Sequence, residues 1–133
     1  PFTIVGDGTQ TRDFTYVTDL AESLNSVMKS NLKNQIYNVG SGETTSINKI
    51  ADLLGGKDYE RVYIPKRPGE PDCTFADISK IKSNLNWSPN VSIEKGVNEI
   101  LKNIDYWKDA PVWTPEKISE VTEDWFKYLG SDE

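Results

Sequence analysis

Glycine and proline cut this chain into short pieces, and that punctuation limits its fold more than any other feature. Most of its nine glycines and seven prolines gather at Gly6–Gly8, Gly40–Gly42, Gly55–Gly56, Pro65–Pro71, Pro89 and Pro111–Pro115. Proline lacks the amide donor and glycine admits left-handed backbone, so each cluster ends a strand or a helix. Between the clusters lie short β-branched runs and stretches with apolar residues at helical spacing. No apolar run approaches the ~20 residues that span a bilayer.

Phe2-Thr3-Ile4-Val5 reads as a strand. Gly6–Gln10 reads as a turn and Arg12–Val17 as a second strand, so two strands around a glycine-containing turn are expected. Val17, Leu20, Ala21, Leu24 and Met28 then mark one face of a helix capped by Thr18 and ending near Ser30. Gln35–Val39 reads as a strand broken by Gly40-Ser41-Gly42. Ser46 caps a helix with Ile47, Ile50, Ala51 and Leu54 on its apolar face, which Gly55-Gly56 ends.

Arg61–Ile64 is a further strand, Pro65–Asp72 a loop and Thr74–Ala76 a short extended piece. Asp77 caps a helix carrying Ile78, Ile81 and Leu85. Ser92 caps a longer one with Ile93, Val97, Ile100, Leu101, Ile104 and Trp107. Thr114-Pro115-Glu116 starts a last helix with Ile118, Val121, Trp125 and Leu129 as its apolar face. The pattern is helix-rich α/β with α+β character, in one unit.

Composition removes several chemistries. Among 133 residues, 21 acids outnumber 15 bases, giving a formal charge of −6. A general nucleic-acid binder needs a basic face, so none is expected. One cysteine, Cys73, makes neither an internal disulfide nor a cysteine metal cluster. The absence of histidine rules out a Ser-His-Asp triad, a Cys-His pair and a histidine-bound zinc. No signal-peptide pattern opens the sequence, and a cytoplasmic location away from membranes is expected.

Three stretches could carry ligand chemistry. In Gly6-Asp7-Gly8-Thr9-Gln10-Thr11-Arg12-Asp13, a glycine turn is followed by Arg12, whose planar fork can hold a phosphate with two parallel hydrogen bonds. The same residues also read as a hairpin turn with an exposed Arg–Asp pair. In Lys66-Arg67-Pro68-Gly69-Glu70-Pro71-Asp72, prolines fix the backbone, so Arg67 and Glu70 can be held in a set geometry at low entropic cost. An arginine for phosphate and an acid for sugar hydroxyls suit a nucleotide; a solvated loop with a surface ion pair is the alternative. In Tyr37–Gly42, Gly40 and Gly42 allow close backbone approach to a ligand or a neighbouring segment. The stretch is not the dinucleotide fingerprint. The tryptophans at 107, 113 and 125 read as packing residues.

Taken in order, these motifs acquire a family likeness. Residues 1–19, PFTIVGDGTQTRDFTYVTD, are followed at matching intervals by Tyr37–Gly42, Ser46-Ile47, Arg67–Asp72, Ala76–Lys80 and Leu85–Pro89. Together they resemble the C-terminal half of the NAD-dependent nucleotide-sugar epimerases and dehydratases, the extended short-chain dehydrogenase/reductases. The resemblance covers residues 1 to about 108, and 109–133 read as a helical extension packed on the same unit.

The resemblance implies a small substrate-binding lobe, with the family's N-terminal Rossmann domain absent from this stretch. It implies that Arg12 and Arg67 contact the substrate pyrophosphate. By the same likeness Glu70 takes the ribose hydroxyls and Asn38 sits near the nucleotide. Asp19 and Asp77 look like helix-capping acids.

The Tyr-x-x-x-Lys pair and the glycine-rich NAD fingerprint of the family do not occur here, so this chain alone is expected to be inactive and to leave NAD to the N-terminal half. For the whole protein the likeness implies 4-epimerisation of a UDP- or dTDP-sugar by transient oxidation, and a homodimer. Arg67–Asp72 followed by Thr74–Asp77 looks more like an epimerase than a 4,6-dehydratase. That dehydratase, a decarboxylase of the same fold and a non-catalytic binding fragment are the other readings.

Overall fold

Parallel pairing, not a hairpin, organises the strands. The computed structural model describes residues 1–130, whose contacts divide them into two units: residues 1–10, 46–72 and 103 onward in one, 11–45 and 73–102 in the other.

In the first unit, β1 (Phe2–Val5) pairs in parallel with β4 (Arg61–Ile64), with Phe2 opposite Arg61 and Val5 opposite Ile64. The Phe2 and Gly6 amides extend the ladder, donating to Glu60 and Ile64 carbonyls at 2.8 Å each. Parallel strands need a crossover, and α2 (Ile47–Gly55) lies between the two in the chain. The expected hairpin fails for a local reason. Asp7 Oδ1 accepts from the Thr9 amide at 2.9 Å and hydroxyl at 2.7 Å, closing the turn on itself. The Asn48 and Ile47 amides then donate to the carbonyls of Gly8 (2.9 Å) and Gln10 (3.1 Å). The turn is thus tied to the start of α2 and not to a following strand. Gly8, at φ +74°, has the Asn48 side chain where a Cβ would be.

Ser46 caps α2 as expected, its side chain accepting from the Lys49 amide at 3.2 Å. It belongs to β3 (Thr45–Ser46), which runs straight into the helix. Gly56 at φ +83° ends it. Ile4 and Ala51 are buried, Phe2 stacks on Tyr59 with ring centroids 4.6 Å apart, and Asp52 pairs with Arg61.

The C-terminal part of this unit holds a 3-10 turn (Ile104–Trp107), α5 (Pro115–Val121) and α6 (Glu123–Leu129). The single last helix expected from the spacing is broken at Thr122. This residue is buried, and its hydroxyl bonds back to the Ile118 carbonyl at 2.7 Å alongside its own amide at 3.1 Å, a back-bond of the kind that bends helices. Val121 and Leu129, expected on the apolar face, are exposed.

In the second unit, β2 is only Thr11–Arg12 and pairs in parallel with β5 (Cys73–Thr74). The core joins Ile78, Ile81 and Trp87, with Tyr37, Val39, Ala76 and Leu85 packed on it. Ile81, on α3 (Ser79–Leu85), has no exposed surface. Asp77 accepts from the Ser79 amide at 2.9 Å at the start of that helix; the Ser79 hydroxyl first, and then this amide bond, hold its carboxyl below the usual carboxylate range. α4 (Ile93–Lys102) buries Val97, and its Gly96 lies against the Tyr16 ring. The 3-10 turn separates Ile104 and Trp107 from the helical stripe expected to continue through them.

Three expectations change in this unit. Residues 35–39 alternate inward Tyr37 and Val39 with an Ile36 that is 84% exposed, yet form no strand. Alternation is present, but a strand is completed by a ladder partner. α1 (Val17–Lys29) forms where expected, but no side chain caps it. Its apolar face is exposed at Val17, Leu20, Leu24 and Met28, while Asp19 and Ser23 are buried. Asp19 is therefore not a capping acid: its Oδ2 accepts from the Val91 amide at 3.0 Å and ties α1 to the segment before α4.

Candidate functional site

The 65–72 loop is shaped by its own sequence. Arg67-Pro68-Gly69-Glu70 is a tight turn in which the Glu70 amide donates to the Arg67 carbonyl at 3.3 Å. Proline at the second position and Gly69 at φ +70° are the residues a type II turn requires. Such a turn brings its end residues close, and Arg67 Nη1 lies 4.0 Å from Glu70 Oε2. Before the turn, Lys66 pairs with Asp72. That hydrogen bond raises the Lys66 pKa, with Asp7 and Glu70 adding to the same effect, so the ammonium stays charged.

The C-terminal helix closes one side of the loop. Trp125 Nε1 donates to the Pro68 carbonyl at 2.8 Å, and the Arg67 guanidinium lies over the Trp125 ring, 5.5 Å from its centroid. Lys66, Arg67, Pro68, Gly69 and Glu70 line a pocket of about 480 Å³ together with Leu129 and Gly130. Two cations and a carboxylate on a proline-stiffened turn can hold an anionic group beside hydroxyls.

The other two site residues foreseen from the sequence belong to the second unit. Arg12 lies on β2, its Nη1 donating to the Thr11 carbonyl at 2.8 Å. Asn38 is exposed, its amide reaching the Asp77 carbonyl at 3.4 Å. It lines an open pocket of about 510 Å³ with Asp13, Thr15, Tyr37, Val39, Thr74, Phe75 and Ala76, and Arg12 is not part of that lining. The structure therefore brings Arg67 and Glu70 together within one unit, and Asn38 lines a pocket in the other.

Asp13 is the residue that sequence reasoning undervalued. It is not the acid of an exposed Arg–Asp pair. Its Oδ1 accepts from both the amide and the hydroxyl of Ser41, each at 2.6 Å, and its Oδ2 from the Ala76 amide at 3.4 Å. Gly40 is needed for this closeness, since a Cβ there would stand 2.6 Å from the Ala76 Cβ and collide with the Asp13 carboxylate. Gly42, at φ +76°, likewise lies against Ile78. These glycines serve chain-to-chain approach. The available signal was a small residue facing an acid across 27 positions, which no local pattern reveals.

These residues do not form a nicotinamide dinucleotide site. Gly6 and Gly8 lead into β2 and not into a helix, and Asn48 fills the space beside Gly8. Among the described residues no group of three metal-ligating side chains gathers, and no helix is long and apolar enough to cross a membrane.

Comparison with known proteins fits this geometry. The sequence profile of the GDP-mannose 4,6 dehydratase family matches residues 1–100. The chain belongs to this family. UDP-glucuronate 4-epimerase of Thermodesulfobacterium geofontis is 42% identical over 120 residues, 84% of this chain and 37% of the relative. UDP-glucuronic acid decarboxylase 1 of Danio rerio is 36% identical over 103 residues, 75% of this chain and 24% of the relative.

Among solved structures, UDP-glucuronic acid 4-epimerase from Bacillus cereus, in complex with UDP-glucuronic acid and NAD, superposes with a TM-score of 0.68 at 35% identity. The match covers 78% of this chain and 36% of that one. As a member of the dehydratase family, the chain has the mixed α/β architecture of the C-terminal part of these extended short-chain dehydrogenases. It spans about a third of the length of the curated relatives it matches.

Proposed function

We propose that this chain is the nucleotide-diphosphate-holding part of an NAD-dependent nucleotide-sugar epimerase. The observation that carries the reading is the Arg67–Glu70 turn and the pocket it lines. A guanidinium fork matches a diphosphate in two parallel hydrogen bonds, and a carboxylate three residues on suits ribose hydroxyls. Arg12 supplies a second phosphate contact and Asn38 a nucleotide contact on this reading. Residues 1–108 are then the substrate-binding region and 109–133 its helical extension. The acidic chain attracts an anion locally, through a few placed cations and not through its net charge.

Anchoring at the diphosphate, remote from the reacting carbon, holds the sugar in place and lowers the chemical barrier without taking part in it. NAD supplies the oxidation in the whole protein. It is assigned to the Rossmann half, together with the Tyr-x-x-x-Lys pair, and this chain alone is inactive on that reading. The exposed apolar face of α1 and the unpaired 35–39 segment suit a fold that continues onto that half. A cytoplasmic homodimer completes the proposal.

The decarboxylase relative favours a second reaction for the whole protein, and the same diphosphate anchoring serves both. Calorimetric titration of UDP and of uridine separates binding from inertness. UDP binding that exceeds uridine binding, and falls in Arg67→Ala by about ten- to hundredfold for one charged hydrogen-bonding group, supports the site. Equal binding of the two ligands rejects it. Product analysis on the whole protein with UDP-glucuronate then distinguishes epimerisation from decarboxylation.

A further inference from the structure

We infer that Trp125, in the C-terminal helix beyond the residues matched by the family profile, positions Arg67 for the diphosphate. The inference rests on the binding reading above and adds to it a residue from a segment outside the family match at residues 1–100.

Trp125 holds the loop at two points. Its indole N–H bonds the carbonyl of Pro68, the second residue of the turn. Its ring face carries the Arg67 guanidinium, so one side chain fixes both the backbone of the turn and the orientation of the cation. Arg67 is otherwise weakly held within this unit. The 4.0 Å approach to Glu70 is an ion pair without a hydrogen bond, and the buried Arg67 Nε–H has no acceptor among the described residues. A cation held over an aromatic face is restrained there without using up its N–H donors, which stay available to an anion.

The helix also presents Leu129 and Gly130 to the same pocket. Phe126 of this helix, with Ile118 and Thr122 before it, lines a second pocket of about 260 Å³ together with Ile64, Pro65 and Arg67. Trp125 is itself 39% exposed, so its replacement should leave the fold intact. Positioning of this kind lowers the entropy lost when the arginine engages its anion.

Two measurements test it. UDP and uridine are titrated into the wild-type chain and into Trp125→Leu, Trp125→Phe, Arg67→Ala and the Arg67→Ala/Trp125→Leu double variant. Trp125→Leu should weaken UDP about three- to tenfold, from loss of a partly exposed cation–aromatic contact, and leave uridine unchanged. Trp125→Phe, which keeps the ring face, should restore most of the affinity. In the Arg67→Ala background Trp125→Leu should have no further effect. A loss that strikes uridine equally, or persists without Arg67, would show a merely structural helix and overturn the inference.

The second measurement needs no ligand. The Arg67 Nε–H resonance should be displaced by the indole ring current in the wild-type chain and should return toward its free position in Trp125→Leu. An unmoved resonance overturns the inference even where UDP binds through Arg67. If UDP fails to bind the wild-type chain, the binding reading falls, and the resonance alone then decides whether Trp125 fixes the guanidinium.

Discussion

Replacing Asp13 by alanine should destabilise the chain by about 3 kcal/mol. Its carboxylate accepts two short hydrogen bonds from Ser41 and a long one from the Ala76 amide. A hydrogen bond to a charged group is worth about 1.5–3 kcal/mol. The site is only partly buried, so the lower figure applies to each of the two short bonds, and the 3.4 Å bond is given no weight. For a chain of this size the loss corresponds to a fall in Tm of roughly 10 °C. Urea unfolding followed by circular dichroism measures it, with the slope checked for an unchanged transition. Asp13→Asn keeps one acceptor oxygen and the volume, and should lose about half as much. Unfolding of Asp13→Ala within about 0.5 kcal/mol of wild type, the range of ordinary surface substitutions, would refute the reasoning. It would return Asp13 to the role of a solvated turn acid.

Other outcomes follow from the same geometry. Ile81→Ala removes a fully buried side chain from the small core of the second unit and should cost about 2–5 kcal/mol in denaturant unfolding. Asp7 is held below the ordinary carboxylate value chiefly by the Thr9 hydroxyl bond. Its contribution to stability is therefore present above the unfolded carboxylate pKa and is lost as pH falls through the lower folded value. An NMR titration should show Asp7 titrating at higher pH in Thr9→Ala than in wild type. Leu24→Glu on the exposed face of α1 should leave the stability of this chain within about 0.5 kcal/mol. On the proposed reading, in which this face packs on the Rossmann half, the same change in the whole protein should lower activity.

What could be read from the sequence was local, and what could not was long-range. The helices over Val17–Lys29 and Ile47–Gly55 stand where periodicity places them, and the one over Ile93–Lys102 starts after Ser92 as expected but stops short of Ile104 and Trp107. β1 and β4 are the β-branched runs themselves. Their parallel pairing was hidden because it depends on an α2 crossover and on how Asn48 holds the Gly8 turn. The burial of α1 was misjudged because periodicity identifies an apolar face without saying what covers it. In this chain the acid Asp19 is buried by a bond to Val91, and Leu24 is exposed. At the site, the turn at Arg67–Glu70 was legible in Pro68-Gly69. Trp125, 57 positions along from its partner Pro68, read as packing because nothing local links the two.

Titration of UDP into the wild-type chain and into the Arg12→Ala/Arg67→Ala variant, at low and at physiological salt, tests the central claim most directly. The account predicts measurable UDP binding that weakens as salt rises, since opposite charges in a partly exposed site are screened, and that is lost in the double variant. UDP binding that is indifferent to salt and unchanged without the two arginines would contradict it.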